Sequence, residues 1–359
     1  MTPRPSGSRT PLSSTAGGRV LALPLILLLA GAGCASSVKV TRTRPAEVNL
    51  AAYRKVAVGP IGGPEGYSIA NRLTQALMES NRFEVLDREH LAHILRERRL
   101  SASAEFSGGE AARIGKVAGT DAMIFGHVNR REYRQARSRR EDTCSRDNIR
   151  YACTNYILNG QWNTEVVMKV VDSNSGRILT AKTLRASRSR SASSYSRWPK
   201  RPWDAGSMAF ALDQEIVDKF MRMITPYTVW ERARLYTDGD LPELELGVRY
   251  SRQGDWENAI RQFREACVRA ESGGQIPPRT KARAHYDLGV ALGYSGRYDA
   301  GIREIEKANR IAPEDPFYAE IRKIEMFRQD AERLRMQEEE ASVSRDPLDA
   351  TATRVGGSD

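Results

Sequence analysis

Lys55-Val56-Ala57-Val58 is a short apolar run, and the eight residues behind it read Gly59-Pro60-Ile61-Gly62-Gly63-Pro64-Glu65-Gly66. β-branched residues suit a pleated strand, and a stretch rich in glycine and proline stops one. Over residues 67–80, Ile69, Leu73, Ala76 and Leu77 recur at helical spacing. Phe83-Glu84-Val85-Leu86 alternates as a second strand, and Asp87 is placed to cap a helix carrying Leu91, Ile94 and Leu95. A polar stretch at 101–108 leads to a short helix with Ala111, Ile114 and Val117, and Gly119 follows where a C-terminal cap is expected. Ala122-Met123-Ile124-Phe125 is then a strand. The order β-α-β-α-α-β predicts an α/β (α+β) layered domain in which helices cover a mixed sheet.

Working outward, the next strands are longer. Tyr156, Leu158, Trp162, Val166, Met168 and Val170 share one parity, while Asn159, Gln161, Asn163, Glu165 and Lys169 share the other. That pattern predicts a half-buried strand with one wet face. Asp172-Ser173-Asn174-Ser175-Gly176 is turn chemistry, and residues 177–185 return as the hairpin partner. A helix over 205–224 presents Leu212, Ile216, Phe220 and Ile224, and Pro226 closes it. The domain therefore spans 50–228.

These segments resemble the CsgG family of curli secretion lipoproteins. The resemblance rests on Tyr53-Arg54-Lys55-Val56-Ala57-Val58, Phe83-Glu84-Val85-Leu86-Asp87-Arg88, Ile94-Leu95-Arg96-Glu97 and Ile114-Gly115-Lys116-Val117-Ala118-Gly119-Thr120-Asp121-Ala122. It continues in Val166-Val167-Met168-Lys169-Val170-Val171-Asp172 with Ser175-Gly176-Arg177-Ile178-Leu179. It implies a ring of subunits, each giving two long hairpins to an outer-membrane barrel that exports unfolded substrate. The hairpin segments depart from that pattern. Residues 130–140 and 185–196 carry arginines on both parities, whereas a barrel strand must offer lipid an apolar face. The resemblance thus supports the periplasmic half of such a fold.

The N-terminus carries Arg4, Arg9 and Arg19 and no acid, then an apolar run at 20–30 too short to span a bilayer. Gly31-Ala32-Gly33-Cys34 resembles the lipobox of bacterial lipoproteins, with glycine where leucine is usual. Residues 1–33 are thus a lipoprotein signal peptide, and Cys34 is the expected lipidation site at the head of a polar, lipidated tether, 34–49. An ordinary secretory leader that leaves a free Cys34 is the alternative. Ala35 after the cysteine favours the outer membrane, facing the periplasm.

Without the three leader arginines the formal net charge falls from +11 to +8, and the surplus is local. Residues 130–150 hold eight arginines against four acids, and 185–201 hold six bases and no acid. Arg130, Arg131, Arg134, Arg137, Arg139, Arg140, Arg188 and Arg190 form a candidate patch for an anionic envelope polymer, or a solvated arginine-rich surface. Nucleic acid is not expected of an exported chain. Cys144 and Cys153 lie close together here, and an oxidising compartment predicts a disulfide between them. It would contribute on the order of 2–3 kcal/mol.

From Pro242 the pattern becomes helical. Leu246-Gly247, Tyr250, Gly254, Ala259, Phe263 and Ala266 resemble the tetratricopeptide spacing, and Leu288-Gly289, Gly296, Ala308 and Pro313 repeat it. Small residues let paired helices approach, and aromatics fill the gaps between pairs. Phe317, Ile321, Ile324, Ala331 and Leu334 mark a long helix that caps the array. The repeats span 240–340, and a disordered tail covers 341–359. Such an array either binds a protein partner in its groove or packs on the first domain or another subunit.

Chemistry is sparse. His90 and His93 are one turn apart with no third ligand near in sequence, so no metal is expected. The loop at 59–66 lacks the Lys-Ser/Thr of a phosphate loop, and Gly-x-Ser-x-Gly is absent. No cofactor and no catalysis are expected. The sequence reads as a non-enzymatic, lipid-anchored assembly or secretion accessory with a possible homo-oligomeric state. A secretion-channel subunit and a regulator of cell-wall synthases are the alternatives.

Overall fold

Val56, Ala57 and Val58 are all buried, on a strand one place in from the edge of a mixed sheet. The computed structural model of the chain describes residues 34–86, 108–200 and 203–345. The strands are β1 (Cys34–Arg44), β2 (Lys55–Gly62), β3 (Glu84–Leu86), β4 (Ala122–Arg146), β5 (Ile149–Asp172), β6 (Ile178–Ser194) and β7 (Tyr227–Thr237). Five of them form a sheet in the order β3-β2-β4-β5-β6. β2 runs parallel to β3 and β4, and the rest of the sheet is antiparallel.

Among the described residues, three helices cover this sheet: α1 (Gly66–Glu79), α2 (Gly108–Ala118) and α3 (Ala205–Ile224). Val56, Val58, Ala122 and Ile124 pack with α1 and α3 through Ile69, Leu73, Ile216 and Phe220. Ala57, Met123 and Phe125 point the other way, onto Ile114 of α2. Burial on both faces explains why these strands read as continuous apolar runs. β2 reaches Gly62, beyond the expected stop at residue 59, by a register shift between Val58 and Ile61. The helix expected after Asp87, with Leu91, Ile94 and Leu95, lies outside the described residues, as do the leader at 1–33 and residues 346–359.

β4 and β5 make a single long hairpin. Asp147 and Asn148 at its tip have φ of 52° and 64°, the pair of positive values that a two-residue hairpin turn requires. β6 pairs with β5 as far as Tyr156, so the outer end of the hairpin is two-stranded.

Residues 34–44 are not a tether. They form β1, which pairs antiparallel with β7 from Cys34 opposite Thr237 to Arg44 opposite Tyr227. Val38 and Val40 alternate with Lys39 and Thr41, so the strand has one apolar face. That face meets Ala233 and Leu235 of β7 in a second core. The first domain therefore does not end cleanly at residue 228, because the chain continues directly into β7.

Five helices follow: α4 (Pro242–Arg252), α5 (Trp256–Ser272), α6 (Pro278–Tyr294), α7 (Tyr298–Ile311) and α8 (Asp315–Arg345). Each packs on the next. Asp255 caps α5 by accepting from the Asn258 amide at 3.1 Å. The last helix runs to Arg345, so the expected tail does not begin at residue 341. The β1–β7 ribbon lies against α4, α6 and α8, alternate helices of the stack. Asp287 of α6 fixes it there, accepting the Tyr236 amide at 3.0 Å.

Candidate functional site

The arginines of the candidate patch lie on β4 and β6. Register places Arg137 and Arg139 opposite Leu158 and Tyr156, with Arg188 and Arg190 across from Trp162 and Gly160. These four share the face that carries the aromatic rings. Arg130, Arg134 and Arg140 are on the other face, opposite Glu165, Gln161 and Asn155. The expected single patch is therefore divided between two sides of one sheet.

Several of its charges are already paired. Arg130 and Arg134 flank Glu132 at 3.5 and 3.1 Å, Arg140 meets Asp142 at 3.6 Å, and Arg188 meets Glu215 at 3.1 Å. Arg137 lies 5.8 Å from the Trp198 ring centre. Exposed pairs of this kind are worth about 0–1 kcal/mol each, so they leave the surface adaptable.

Arg131 does not belong to the patch. It reaches inward to Asp213 of α3 and also pairs with Glu65. The Asp213 side chain is only 2% exposed, and it also accepts from the Ser68 hydroxyl at 2.9 Å. Burial raises the Asp213 carboxyl above its ordinary range, against the opposing pull of Arg131. Arg131 is thus the counter-ion of a buried acid.

At the tip, Cys144 and Cys153 are bonded, with Cα atoms 5.8 Å apart. Alkylation with and without prior reduction should differ by two thiols, and equal labelling would refute the bridge. Cys267 is buried in α5, and burial pushes its thiol up, away from the reactive thiolate.

The residues that carried the repeat signature sit at helix contacts. Gly247 of α4 faces the Phe263 ring of α5, where an added Cβ would lie 2.3 Å from a ring carbon. Ala259, Phe263, Ala266 and Ala308 are fully buried, while Tyr250 packs at the edge of the same core. Gly289 of α6 meets the backbone of Gly301 in α7. Pro313 is exposed between α7 and α8.

Sequence reasoning missed a buried polar group in this stack. His285 is 2% exposed. Its Nδ1 lies 2.8 Å from Glu304 and its Nε2 3.4 Å from Glu271, which also meets Lys307 at 2.5 Å. The hydrogen bond from His285 lowers the Glu304 carboxyl, against its burial. The network ties α5, α6 and α7 together. An isolated histidine gave no sign of it, because both carboxylates are distant in sequence. His90 and His93 lie outside the described residues, among which no group of three or more His, Cys, Asp or Glu could hold a metal ion.

Asp287 is fully buried, and burial holds its carboxyl well above the ordinary range, opposed by the Tyr236 amide and Arg283. With the folded value raised, its contribution to stability is complete below the unfolded value and is lost as pH rises through the folded one. Asp287→Asn should therefore gain stability relative to wild type as pH rises from acid to neutral, read from urea midpoints. A gap independent of pH would refute this.

A cleft of about 510 Å³ opens where α8 meets the α/β domain, lined by Thr43, Asn49, Leu50, Phe83, Ile224 and Leu334 among others. Gln337 closes one side by exchanging hydrogen bonds with the Ala46 backbone at 3.2 and 2.9 Å. Among the described residues, no helix is long and apolar enough to cross a membrane.

The geometry defines a mixed α/β domain, bearing a long charged hairpin, joined through a two-stranded ribbon to a helical stack. Residues 52–140 match the family model of CsgG, the curli production assembly/transport component. No curated protein matches the chain. Similar solved structures include the LpoB C-terminal domain from Salmonella enterica, at 11% identity and a TM-score of 0.25, covering 40% of this chain and 84% of that one. Lipoprotein GNA1162 from Neisseria meningitidis is similar at 11% identity and a TM-score of 0.26, covering 46% and 97% respectively. The PelC dodecamer from Paraburkholderia phytofirmans is similar at 12% identity and a TM-score of 0.22, covering 51% and 96%.

Proposed function

We propose that this chain is a non-enzymatic lipoprotein scaffold of the cell envelope, anchored by a lipid on Cys34 in the outer membrane and facing the periplasm. The matched family is an assembly and transport component, which supports an accessory role in assembly or secretion. The observation that carries the reading is that Cys34 opens a strand held along its length by β7 and, through it, by the helical stack. The helices are a tetratricopeptide-type array whose alternate helices grip this ribbon. Partner recruitment then falls to surfaces the ribbon leaves open, including the hairpin.

Cys34→Ser should release the protein from the membrane fraction of cells while its thermal unfolding stays unchanged. Retention of the variant in the outer membrane would sink the anchored reading.

The length of the β4–β5 hairpin favours a second reading, an oligomeric secretion-channel subunit. Against it stand the arginines on both faces, since each at mid-bilayer costs on the order of 2–4 kcal/mol. A membrane-inserted ring in detergent would support the channel, and a monomer would exclude it.

A further inference from the structure

The ribbon of β1 and β7 has two unlike faces. Its inner face packs through Val38, Ala233 and Leu235 on the helical stack. The opposite face carries Lys39, Thr41, Trp230, Arg232 and Arg234, all exposed. Thr41 is paired with Trp230 and Lys39 with Arg232, so these side chains stand together on one side of the pleat. Trp230 is 71% exposed. Ser37, Thr43 and Thr228 share the face, which contains no acidic residue; toward Cys34 it runs into buried Tyr236, whose ring centre Arg234 approaches to 5.3 Å. A large ring left in water beside three exposed cations is an unusual surface for a strand pair whose other side packs on a helical core.

We propose that this face lies against an anionic lipid surface, with Trp230 at the headgroup level and Lys39, Arg232 and Arg234 facing lipid phosphates. Tryptophan favours the membrane interface because its ring is apolar and its N–H is polar. Clustered lysine and arginine are drawn to anionic headgroups over a short, salt-screened range. Charge alone would suit a soluble polyanion equally, and the exposed Trp230 favours the bilayer. Position favours it too, because Cys34 stands at one end of the same ribbon, opposite Thr237. The inference deepens the anchored reading by assigning the surface that meets the membrane beside the lipid.

The test floats the full chain with phosphatidylcholine vesicles that contain phosphatidylglycerol and carry bromine on the acyl chains near the headgroups. Bromine quenches only tryptophans that reach it. The wild type should lose the emission of one of its five tryptophans, and Trp230→Phe should lose none. Combining Lys39→Glu, Arg232→Glu and Arg234→Glu should abolish the quenching while the chain still floats. Equal quenching in Trp230→Phe, or a wild-type emission no different from that on unbrominated vesicles, overturns the proposal. So does binding to a soluble acidic polymer that leaves Trp230 unquenched on vesicles. Flotation with phosphatidylcholine alone reads the anchor separately. A chain that fails there yet is quenched on phosphatidylglycerol loses the Cys34 anchor and keeps the ribbon contact.

Discussion

Arg131→Ala is expected to destabilise the α/β domain by about 3–5 kcal/mol, the usual cost of stranding one member of a buried ion pair. Asp213 would keep its Ser68 hydrogen bond and the weaker pull of Arg72 but lose the main cation that offsets its burial. The comparison that isolates this cause is the double variant Arg131→Met with Asp213→Leu. It removes both charges and should recover most of the loss. Arg139→Ala, on the same strand but exposed, should change stability by less than about 0.5 kcal/mol. Urea midpoints for the three variants decide the matter. If Arg131→Ala and Arg139→Ala are equally mild, Arg131 is a surface residue after all and the buried pair is not stabilising.

Gly289→Val should cost about 3 kcal/mol or more, the upper end for overpacking. An added Cβ at Gly289 would stand 2.6 Å from the Gly301 carbonyl oxygen and 2.5 Å from Ile305. Ile305 could rotate away, but the carbonyl belongs to the backbone of α7 and moves only with the helix. Separating α6 from α7 would also disturb Asp287, which sits on α6 and holds the Tyr236 amide. The ribbon should therefore loosen together with the stack. Calorimetry should show the helical unit melting earlier, with the α/β domain less affected. Gly239→Ala is the control, since nothing lies within 4 Å of its added Cβ and the melt should be unchanged. Equal melts for all three proteins would refute the close crossing.

Parts of this architecture were readable in one dimension because burial imposes a period. Val56 to Val58 and Ala122 to Phe125 are covered on both faces, and α3 displays Leu212, Ile216 and Phe220 on one side. Gly247 and Gly289 were legible through the spacing of small and aromatic residues around them. Pairing was much less so. The outer part of β4 is exposed on both faces, so its residues alternate in nothing that a pattern can detect. β1 and β7 are separated by most of a domain, and Val38 acquires its meaning only opposite Ala233. Arg131 could not be told from its seven neighbours in the arginine-rich segment, because its counter-ion lies 82 positions away on α3. The candidate patch thus groups arginines that the fold places in unlike surroundings, Arg131 against buried Asp213 and the rest along the exposed parts of β4 and β6.

The ribbon also decides how far the protein can travel from its point of attachment. A free segment over 34–49 would let the body roam a radius on the order of 20 Å, sampling every orientation. With β1 zipped to β7 over its whole length, that freedom is absent from the first strand residue onward. A lipid on Cys34 would then fix height and tilt as well as location, holding the helical stack down and setting the direction in which the hairpin extends. Reach into the periplasm would come from the length of that hairpin rather than from slack in the chain.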